Sequence, residues 1–404
     1  MKVCFLFGSG ASVPAGKATV TQITEQVLSG DNPSPHVAKI DFYKHIDVRL
    51  KESRVKFLRW LEIQVKRRYA YEPNRPANYE DLYYLASQMY DDLRGEYDNP
   101  AVRPLIERAY LEVLPRVDCF AGKLEEEMKH LTNDVVDYIR RCVVLLLRAD
   151  LQSLDYLDFV REAYQANLGE GLEILTLNHD TVVEDFLETR GIPFFDGFRT
   201  KLSAVQVRQW QPTELREAYG KIRVFKLHGG IDWFRFRPDE VQDWSEDYIG
   251  IPTPEYRLKS QRDERQRQHR ILNDDLPVCL IGTFNKFPSY TDSVYLEIYY
   301  RAFCSLDEAG VLVIVGYGFG DKGINKLITD WIYRNSKRQI IVVDVDADNL
   351  WERARGAIGN KWHNWLDAKR LIPVTFDLQN KLSWREILRY LRSESTRLNS
   401  SHRL

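Results

Sequence analysis

The sequence predicts an α/β fold: a Rossmann-like, doubly wound parallel sheet that is interrupted by a large helical insertion. Three observations lead to this prediction. A short apolar strand, Val3–Phe7, runs directly into the glycine turn Gly8–Ser12. After Gly171 brief, wholly apolar segments return, which is typical of parallel strands covered by helices on both faces. Between these parts, over residues 31–169, the spacing of apolar residues is helical.

Composition bounds the class of protein. A chain of 404 residues with 44% hydrophobic and 12% aromatic content can form one large domain or two. Its 57 Lys and Arg against 59 Asp and Glu give a net charge of −2, so no global electrostatic footprint for nucleic acid exists. The 5 cysteines include no C-x-x-C pair, which predicts a reduced, cytoplasmic chain without disulfides or a structural zinc site.

Targeting and membrane segments are not expected. The N-terminal apolar run ends at Gly8, which is too early for a signal peptide. The longest wholly apolar run, Cys142–Leu147, is far too short to span a bilayer.

The predicted helices follow from apolar spacing and capping residues. The first glycine turn leads into a helix that ends near Gly30, and Asn78 caps a later helix. The segment Arg54–Arg68 is a basic amphipathic helix, with either a solvated or a partner-binding face. Two apolar faces, most simply core faces, comprise Leu82, Leu85, Met89 and Leu93, and Leu124, Met128, Leu131, Val135, Ile139 and Cys142.

The later strands define the domain bounds. The predicted strands are Ile174–Leu177, Val224–Leu227, Val278–Ile281, Val311–Val315 and Ile340–Val343, with a helix over Lys322–Asn335. We therefore expect a nucleotide-binding core over residues 1–30 and 170–375, a helical insertion over 31–169, and a C-terminal helix and flexible tail over 376–404. The charged segment 259–270 is interpreted as a mobile surface loop, or alternatively as a docking flap beside the cleft.

Polar or glycine turns follow each predicted strand. In open α/β sheets ligands bind outside the carboxyl ends of the strands, so these turns should lie on one rim. A helix starting near Ser12 would direct backbone N–H groups at a phosphate. The turns together offer a phosphate cradle, a ribose acceptor, an amide and an imidazole, which suits a dinucleotide. They are Gly8–Ser12, Asn178–Asp180, His228–Gly230, Gly282–Asn285, Gly316–Asp321 and Asp344.

Each of these residues also has a structural interpretation. Asn178 and Asp180 could cap the following helix. His228 could be a hydrogen-bonded structural histidine, although it follows a buried strand and precedes two glycines. Asp344 resembles the strand-end carboxylate that binds ribose hydroxyls, and it could equally cap a helix.

The ordered motifs G-S-G-A-S, T-L-N-H-D, L-H-G and G-Y-G-F-G-D resemble those of the sirtuin superfamily. The form G-Y-G-F-G-D-x-x-I-N is similar to the zinc-free, sirtuin-like NADase branch of bacterial anti-phage defence proteins. The resemblance covers roughly residues 1–30 and 170–350. It implies the catalytic residues Asn178, Asp180 and His228, and the NAD-binding residues Gly8, Ser9, Gly10, Ala11, Ser12, Gly316, Tyr317, Gly318, Phe319 and Asp321, beside the ribose candidate Asp344.

The chain departs from zinc-containing sirtuins, which carry two C-x-x-C pairs in a small domain. This sequence has none, so we expect the helical insertion to replace the zinc lobe and no metal to be bound. Because that lobe helps to form the acyl-lysine channel in deacetylases, its replacement argues against peptide deacetylation.

The resemblance implies NAD+ hydrolysis to nicotinamide and ADP-ribose, as the effector of a bacterial anti-phage (abortive infection) system. Asn178 would orient the ribose and the attacking water, Asp180 would fix the nicotinamide side, and His228 would act as general base. The alternatives are an NAD-dependent protein deacylase or ADP-ribosyltransferase, and a non-catalytic NAD- or ADP-ribose-binding assembly subunit.

Such an NADase requires regulation. Only some 60 residues follow the strand ending near Val343, which is too few for a fused sensor domain, so the resemblance implies a separate partner such as a HerA-type ATPase. We also expect a homo-oligomer, no direct contact with nucleic acid and no membrane association.

Overall fold

The computed structural model describes residues 2–31, 48–69, 76–95, 99–114, 121–167, 171–200, 207–211, 213, 215, 220–238, 248–253, 269–271, 276–282 and 293–391. The chain divides into two compact units. A sheet unit comprises Met1–Lys17, Leu151–Cys279 and Tyr290–Leu404, and a helical unit comprises Ala18–Asp150 with Leu280–Ser289. Compared with the predicted bounds, residues 18–30 therefore belong to the helical unit and residues 151–169 to the sheet unit.

The strands, all in the sheet unit, are numbered along the chain. They are β1 (Val3–Phe7), β2 (Leu172–Thr176), β3 (Phe194–Phe195), β4 (Phe198–Thr200), β5 (Val207–Trp210), β6 (Ile222–Lys226), β7 (Phe234–Pro238), β8 (Tyr248–Pro252), β9 (His269–Ile271), β10 (Val311–Val315), β11 (Gln339–Asp344) and β12 (Leu371–Thr375).

The helices are numbered in the same way. They are α1 (Val20–Ser29), α2 (Val48–Arg68), α3 (Tyr79–Arg94), α4 (Arg103–Glu112), α5 (Ala121–Leu147), α6 (Asp158–Ala166), α7 (Val182–Thr189), α8 (Ser293–Glu308), α9 (Lys322–Arg334), α10 (Ala357–Asp367) and α11 (384–391), with short 3₁₀ helices at Ser9–Ser12, Asp155–Leu157 and Ala347–Glu352.

The main sheet is parallel throughout, in the order β12-β11-β10-β1-β2-β6-β3. Starting from β6, its six longer strands follow the Rossmann order 3-2-1-4-5-6, and β3 adds a short edge. The chain reverses its direction of winding between β1 and β10, so the topological switch point lies there. The predicted doubly wound α/β fold is confirmed.

The central strands are readable from sequence because both of their faces are buried. All residues of β1, β2 and β10 are buried, and β10 has the predicted bounds. The predicted strand over Val278–Ile281 is wrong: Cys279 makes only an isolated antiparallel bridge to Gly229. A four-residue apolar run does not distinguish a strand from an irregular segment with buried side chains.

A second, antiparallel sheet, in the order β4-β5-β8-β7-β9, was not predicted. Its strands alternate or are short; β5, for example, buries Val207 and Gln209 while its other two residues are half-buried. The last two residues of the charged segment, His269 and Arg270, belong to β9. The rest of that segment lies outside the described residues, as do positions 283–285 and the predicted flexible tail.

The helical unit confirms the predicted helices and their caps. Asn78 forms a capping box with Asp81 at the start of α3, and α1 ends at Gly30 in the left-handed conformation. Of the predicted core faces, Met128 and Ile139 on α5 are fully buried. The helix α1 begins at Val20, however, and not near the first glycine turn.

The basic helix α2 is partly internal. Arg54 is buried and donates two hydrogen bonds of 2.7 Å to Asp134 of α5, while Lys66, Arg67 and Arg68 are exposed. Among the described helices, none combines the length and apolarity needed to cross a bilayer.

Candidate functional site

Two glycine turns meet at the switch point of the sheet. The first glycine turn (Gly8–Ser12) follows β1, and the second (Gly316–Asp321) follows β10. Gly10 N donates to Gly316 O at 2.9 Å. A Cβ atom at Gly8 would lie 2.6 Å from Tyr317 Cα, and one at Gly316, which has φ +62°, would collide with Ala11 N. These glycines are therefore required because the two turns approach each other, whether or not a ligand is bound.

The expected α-helix near Ser12 is wrong. Within the first glycine turn, Ser9–Ser12 form a four-residue 3₁₀ helix, and the Ala11 N–H is bonded to Gly8 O at 2.9 Å. Ser9 is exposed, as are Gly318 and Gly320 of the second turn. A phosphate would therefore meet the outer rim formed by these exposed residues, since the amides of Gly10 and Ala11 are already bonded within the protein.

Asn178 connects the end of β2 to the first glycine turn. Its Nδ2 donates to Gly8 O at 2.9 Å and to Ser12 Oγ at 2.8 Å, and the side chain is buried. Both amide protons are used in these bonds, so any contact with a water or a ribose hydroxyl would be made by Oδ1, as an acceptor. Asn178 therefore binds the glycine turn instead of capping α7.

Asp180 lies one residue before Thr181, the N-cap residue of α7, and binds the first N–H of the helix. Its Oδ1 accepts a hydrogen bond from Val182 N at 3.0 Å, as the structural interpretation of this residue predicted. Asp180 is also buried, so the carboxylate lies inside the turn that follows β2.

His228, two residues after β6, is buried between two oxygen acceptors. Its Nδ1 lies 3.2 Å from Leu177 O, and its Nε2 lies 3.3 Å from Asp321 Oδ2. A neutral imidazole can donate from only one nitrogen, whereas the imidazolium donates from both. One of the two contacts therefore becomes a donated hydrogen bond only when the ring gains a proton.

Asp321 has two structural tasks. It is the N-cap of α9, where Oδ1 accepts from Gly323 N at 2.8 Å and from Ile324 N at 3.1 Å, and its other oxygen faces His228. The Tyr317 hydroxyl accepts a hydrogen bond from Asp321 N at 3.1 Å.

The side chains of Tyr317 and Phe319 are buried and support the second glycine turn from inside. Phe319, with φ 55°, packs edge-on against Trp362. Any contact of these two residues with a ligand would therefore come from their backbone atoms.

Asp344 ends β11, one strand from the second glycine turn. Its Oδ1 accepts from Asp346 N at 3.1 Å and lies 3.4 Å from an Arg353 nitrogen. The carboxylate thus lies on the same rim as the other candidates, where it forms a local turn.

Two groups that support the site were missed. Tyr156, in the 3₁₀ helix Asp155–Leu157, donates from its hydroxyl to Ala11 O at 2.6 Å. No local pattern signals this contact, because the two residues are 145 positions apart. Lys226 does carry a sequence signal, because it is the only charged residue in the predicted strand Val224–Leu227.

Lys226 is buried beside two carboxylates. Its Nζ lies 2.8 Å from Glu184 Oε1 and donates to the carbonyls of Asn178 and Asp180. Glu184 Oε2 and Asp232 Oδ1 are buried and have no hydrogen-bond partner within the described residues.

The burial of these carboxylates changes their pKa values. Burial raises the pKa of Glu184 to about 7, against the opposing effect of Lys226. Burial also raises the pKa of Asp232. Burial lowers the pKa of Lys226, but the charges of Glu184 and Asp232 outweigh it and raise that pKa above its ordinary value.

No group of three or more His, Cys, Asp or Glu residues in the described part of the chain is arranged to hold a metal ion.

Comparison with known proteins finds a family that is similar to part of the sheet unit. Residues 172–363, just under half of the chain, match a family model described as a SIR2-like domain. The match contains the turns after β2, β6 and β10, whereas the first glycine turn lies outside it. No curated protein matches the chain.

Solved sirtuins are found by structural similarity. A complex of Sir2 with a p53 peptide and NAD+ is 11% identical with a TM-score of 0.33, covering 98% of this chain and 93% of that chain. Sir2 bound to an acetylated peptide is 10% identical with a TM-score of 0.35 and the same coverage. With such low scores, the location of the site rests on the strand order and side-chain contacts described above.

The contact between the glycine turns predicts different outcomes for two alanine substitutions. Gly316→Ala should lower the free energy of unfolding by about 2 kcal/mol, because its positive φ and the collision with Ala11 both add strain. Gly318→Ala has open space around the new Cβ, so its effect should stay within about 0.5 kcal/mol. Denaturant unfolding of both variants checks this, and equal stability of the two would contradict the proposed packing.

The raised pKa of Glu184 predicts a pH dependence of stability. The folded protein holds a proton that the unfolded chain releases near pH 4.5, so this contribution is present at low pH and is lost as pH rises through about 7. The loss amounts to at most about 3 kcal/mol. Glu184→Gln should remove this part of the pH profile of unfolding between pH 5 and 8. Parallel profiles for wild type and variant would show that Glu184 is not the group concerned.

Proposed function

We propose that the protein is an NAD+ glycohydrolase that releases nicotinamide and ADP-ribose. The observation that carries the proposal is the bond pattern of Asn178, which joins the turn after β2 to the first glycine turn at the switch point. Dinucleotides bind at this point of the Rossmann strand order. The SIR2-like match over residues 172–363 supports the same ligand.

The residues present fit NAD+ as the substrate. The exposed rim formed by Ser9, Gly318 and Gly320 would receive the pyrophosphate, and Asp344 offers a carboxylate to an adenosine ribose hydroxyl. Asn178 and His228 then lie on the side of β2 and β6, where the nicotinamide ribose would be held.

In the proposed reaction, the bond between ribose C1′ and the nicotinamide nitrogen breaks, and its electron pair leaves with nicotinamide as a neutral base. A water oxygen then bonds to C1′ and one proton is released, which gives ADP-ribose. Since the ribose gains positive charge in the transition state, oriented acceptors stabilise it. Asn178 Oδ1 is such an acceptor and would hold the attacking water or a ribose hydroxyl.

His228 would accept the proton, directly from water or through a ribose hydroxyl. The imidazolium so formed is stabilised by Leu177 O and by the Asp321 carboxylate, which face its two nitrogens. Asp180, buried in the same turn as Asn178, would fix the geometry at the nicotinamide side.

The proposal extends to the biological role that the motif resemblance implies. NAD+ depletion would be the effector step of an anti-phage response in the bacterial cytoplasm. A homo-oligomer of this chain would then be controlled by a separate regulatory protein, with a HerA-type ATPase as the first candidate. The G-Y-G-F-G-D-x-x-I-N form of the second glycine turn supports this branch.

Incubation of the purified protein with NAD+, followed by quantification of nicotinamide and ADP-ribose, tests the activity. Because a regulated enzyme can be silent alone, candidate partners are added in parallel. His228→Ala and Asn178→Ala should each reduce nicotinamide release at least about 100-fold, since each removes a group that acts at the reacting ribose.

Matched controls are His130→Ala and Asn364→Ala, which change exposed residues of the same types and should retain wild-type turnover. Release that requires an acetylated peptide or a protein acceptor would indicate the deacylase or ADP-ribosyltransferase alternative. NAD+ binding without turnover in any arm would indicate the non-catalytic alternative.

Asp321→Asn separates the two tasks of this residue. Asparagine is an equally good N-cap, so stability should change by less than about 1 kcal/mol. Turnover should fall at least about tenfold, because the imidazolium loses its anionic partner. Asp330→Asn, an exposed change on the same helix, serves as the control. Full turnover in Asp321→Asn would exclude a role for its carboxylate in the reaction.

A further inference from the structure

We propose that Lys226 is a positioning residue of the candidate site, whose buried ammonium group holds the polar turn Asn178–Asp180 in its working geometry. The inference rests on the proposed function for its kinetic consequence. Its structural consequence, the fixing of the turn, can be measured without any activity.

Lys226 lies where two strand ends meet. It is the last residue of β6 and pairs in register with Thr176, the last residue of β2. The strand β2 leads into the polar turn and β6 leads to His228. A single side chain at this position can therefore hold the segment that bears the Asn178 amide against the strand that leads to the His228 imidazole.

The ammonium group has three donors, and the surroundings offer three acceptors. They are Asn178 O at 3.4 Å, Asp180 O, and Glu184 Oε1 at 2.8 Å. Two of the three belong to the backbone of the polar turn. A neutral apolar side chain of similar length would leave these buried carbonyls without this donor and would leave two acidic groups without their cation.

Gly230 gives independent support for this role of Lys226. A Cβ at Gly230 would collide with Asp232 Oδ1 and would lie 3.0 Å from Lys226 Cδ. Gly230 therefore makes room for the lysine cluster. The second of the two glycines that follow His228 is thus explained by Lys226 and Asp232.

Loss of the Lys226 contacts would affect catalysis through the position of the Asn178 side chain. The side chain of Asn178 is attached to the backbone whose carbonyl Lys226 holds, so a shift of that backbone displaces Oδ1. A displacement of about 1 Å in a positioning contact costs about 100-fold in rate. Binding of NAD+ at the glycine turns should change much less, because the bond from Gly10 N to Gly316 O, which joins the two turns, involves neither Lys226 nor Asn178.

The main test is the triple variant Lys226→Met, Glu184→Gln and Asp232→Asn in the full-length chain. It removes the ammonium group and also neutralises the carboxylates that would otherwise be buried without a cation. We expect a folded protein with kcat reduced about 100-fold and KM for NAD+ changed less than about threefold. Lys221→Met, the same change at the exposed lysine directly before β6, should retain wild-type kcat.

Hydrogen exchange of the amides in residues 178–182 gives the readout that does not depend on turnover. We expect exchange at least about tenfold faster in the triple variant, with β10 amides unchanged. Unchanged exchange together with wild-type kcat would overturn the proposal. If wild-type protein releases no nicotinamide in any arm, the proposed hydrolysis fails, while the exchange result still decides whether Lys226 holds the turn.

A measurement on wild-type protein covers the case in which the triple variant does not fold. Acetic anhydride should label Lys226 far more slowly than the exposed Lys221, and labelling of Lys226 should speed exchange in residues 178–182. Rapid labelling of Lys226, or labelling that leaves the exchange of this turn unchanged, would contradict the proposal.

Discussion

The site depends on the contact between the two glycine turns at the switch point. Neighbouring parallel strands β1 and β10 end at the same edge, and both chains must turn away within a few residues. Their backbones meet through the bond from Gly10 N to Gly316 O, so no side chain fits between them. The polar groups are then attached to this contact: Asn178 binds the first turn at Gly8 and Ser12, and Tyr156 binds it at Ala11.

The fold could be predicted from the sequence where burial requires apolar residues throughout an element. The strand Val311–Val315 is apolar throughout because both faces are covered, so its bounds were predicted without error. The antiparallel sheet could not be found, because β5 buries only alternate residues and β4 has three residues. Val278–Ile281 shows the opposite failure, since local hydrophobicity does not reveal whether neighbouring strands are available for pairing.

For the site, sequence identified the turns but not the task of each residue. The sequence offers capping and catalysis as alternatives for Asn178 and Asp180, yet the amide binds the glycine turn while the carboxylate binds the first N–H of α7. Asp321 shows why residue type alone does not decide: a carboxylate has two oxygens, of which one caps α9 and the other faces His228. Such division of labour depends on three-dimensional contacts between strand ends, which no local pattern contains.

The charges around the polar turn are consistent with a reaction that moves positive charge from the nicotinamide ring onto the ribose. Asp180 and Asp321 contribute carboxylates near the strand ends, and the charge of Lys226 is opposed by the carboxylates of Glu184 and Asp232. A lysine so compensated can bind backbone carbonyls without adding a net positive field to the site. An uncompensated ammonium group would repel the positive charge of an oxocarbenium-like ribose. In the proposed chemistry, the second carboxylate beside Lys226, that of Asp232, would reduce this repulsion.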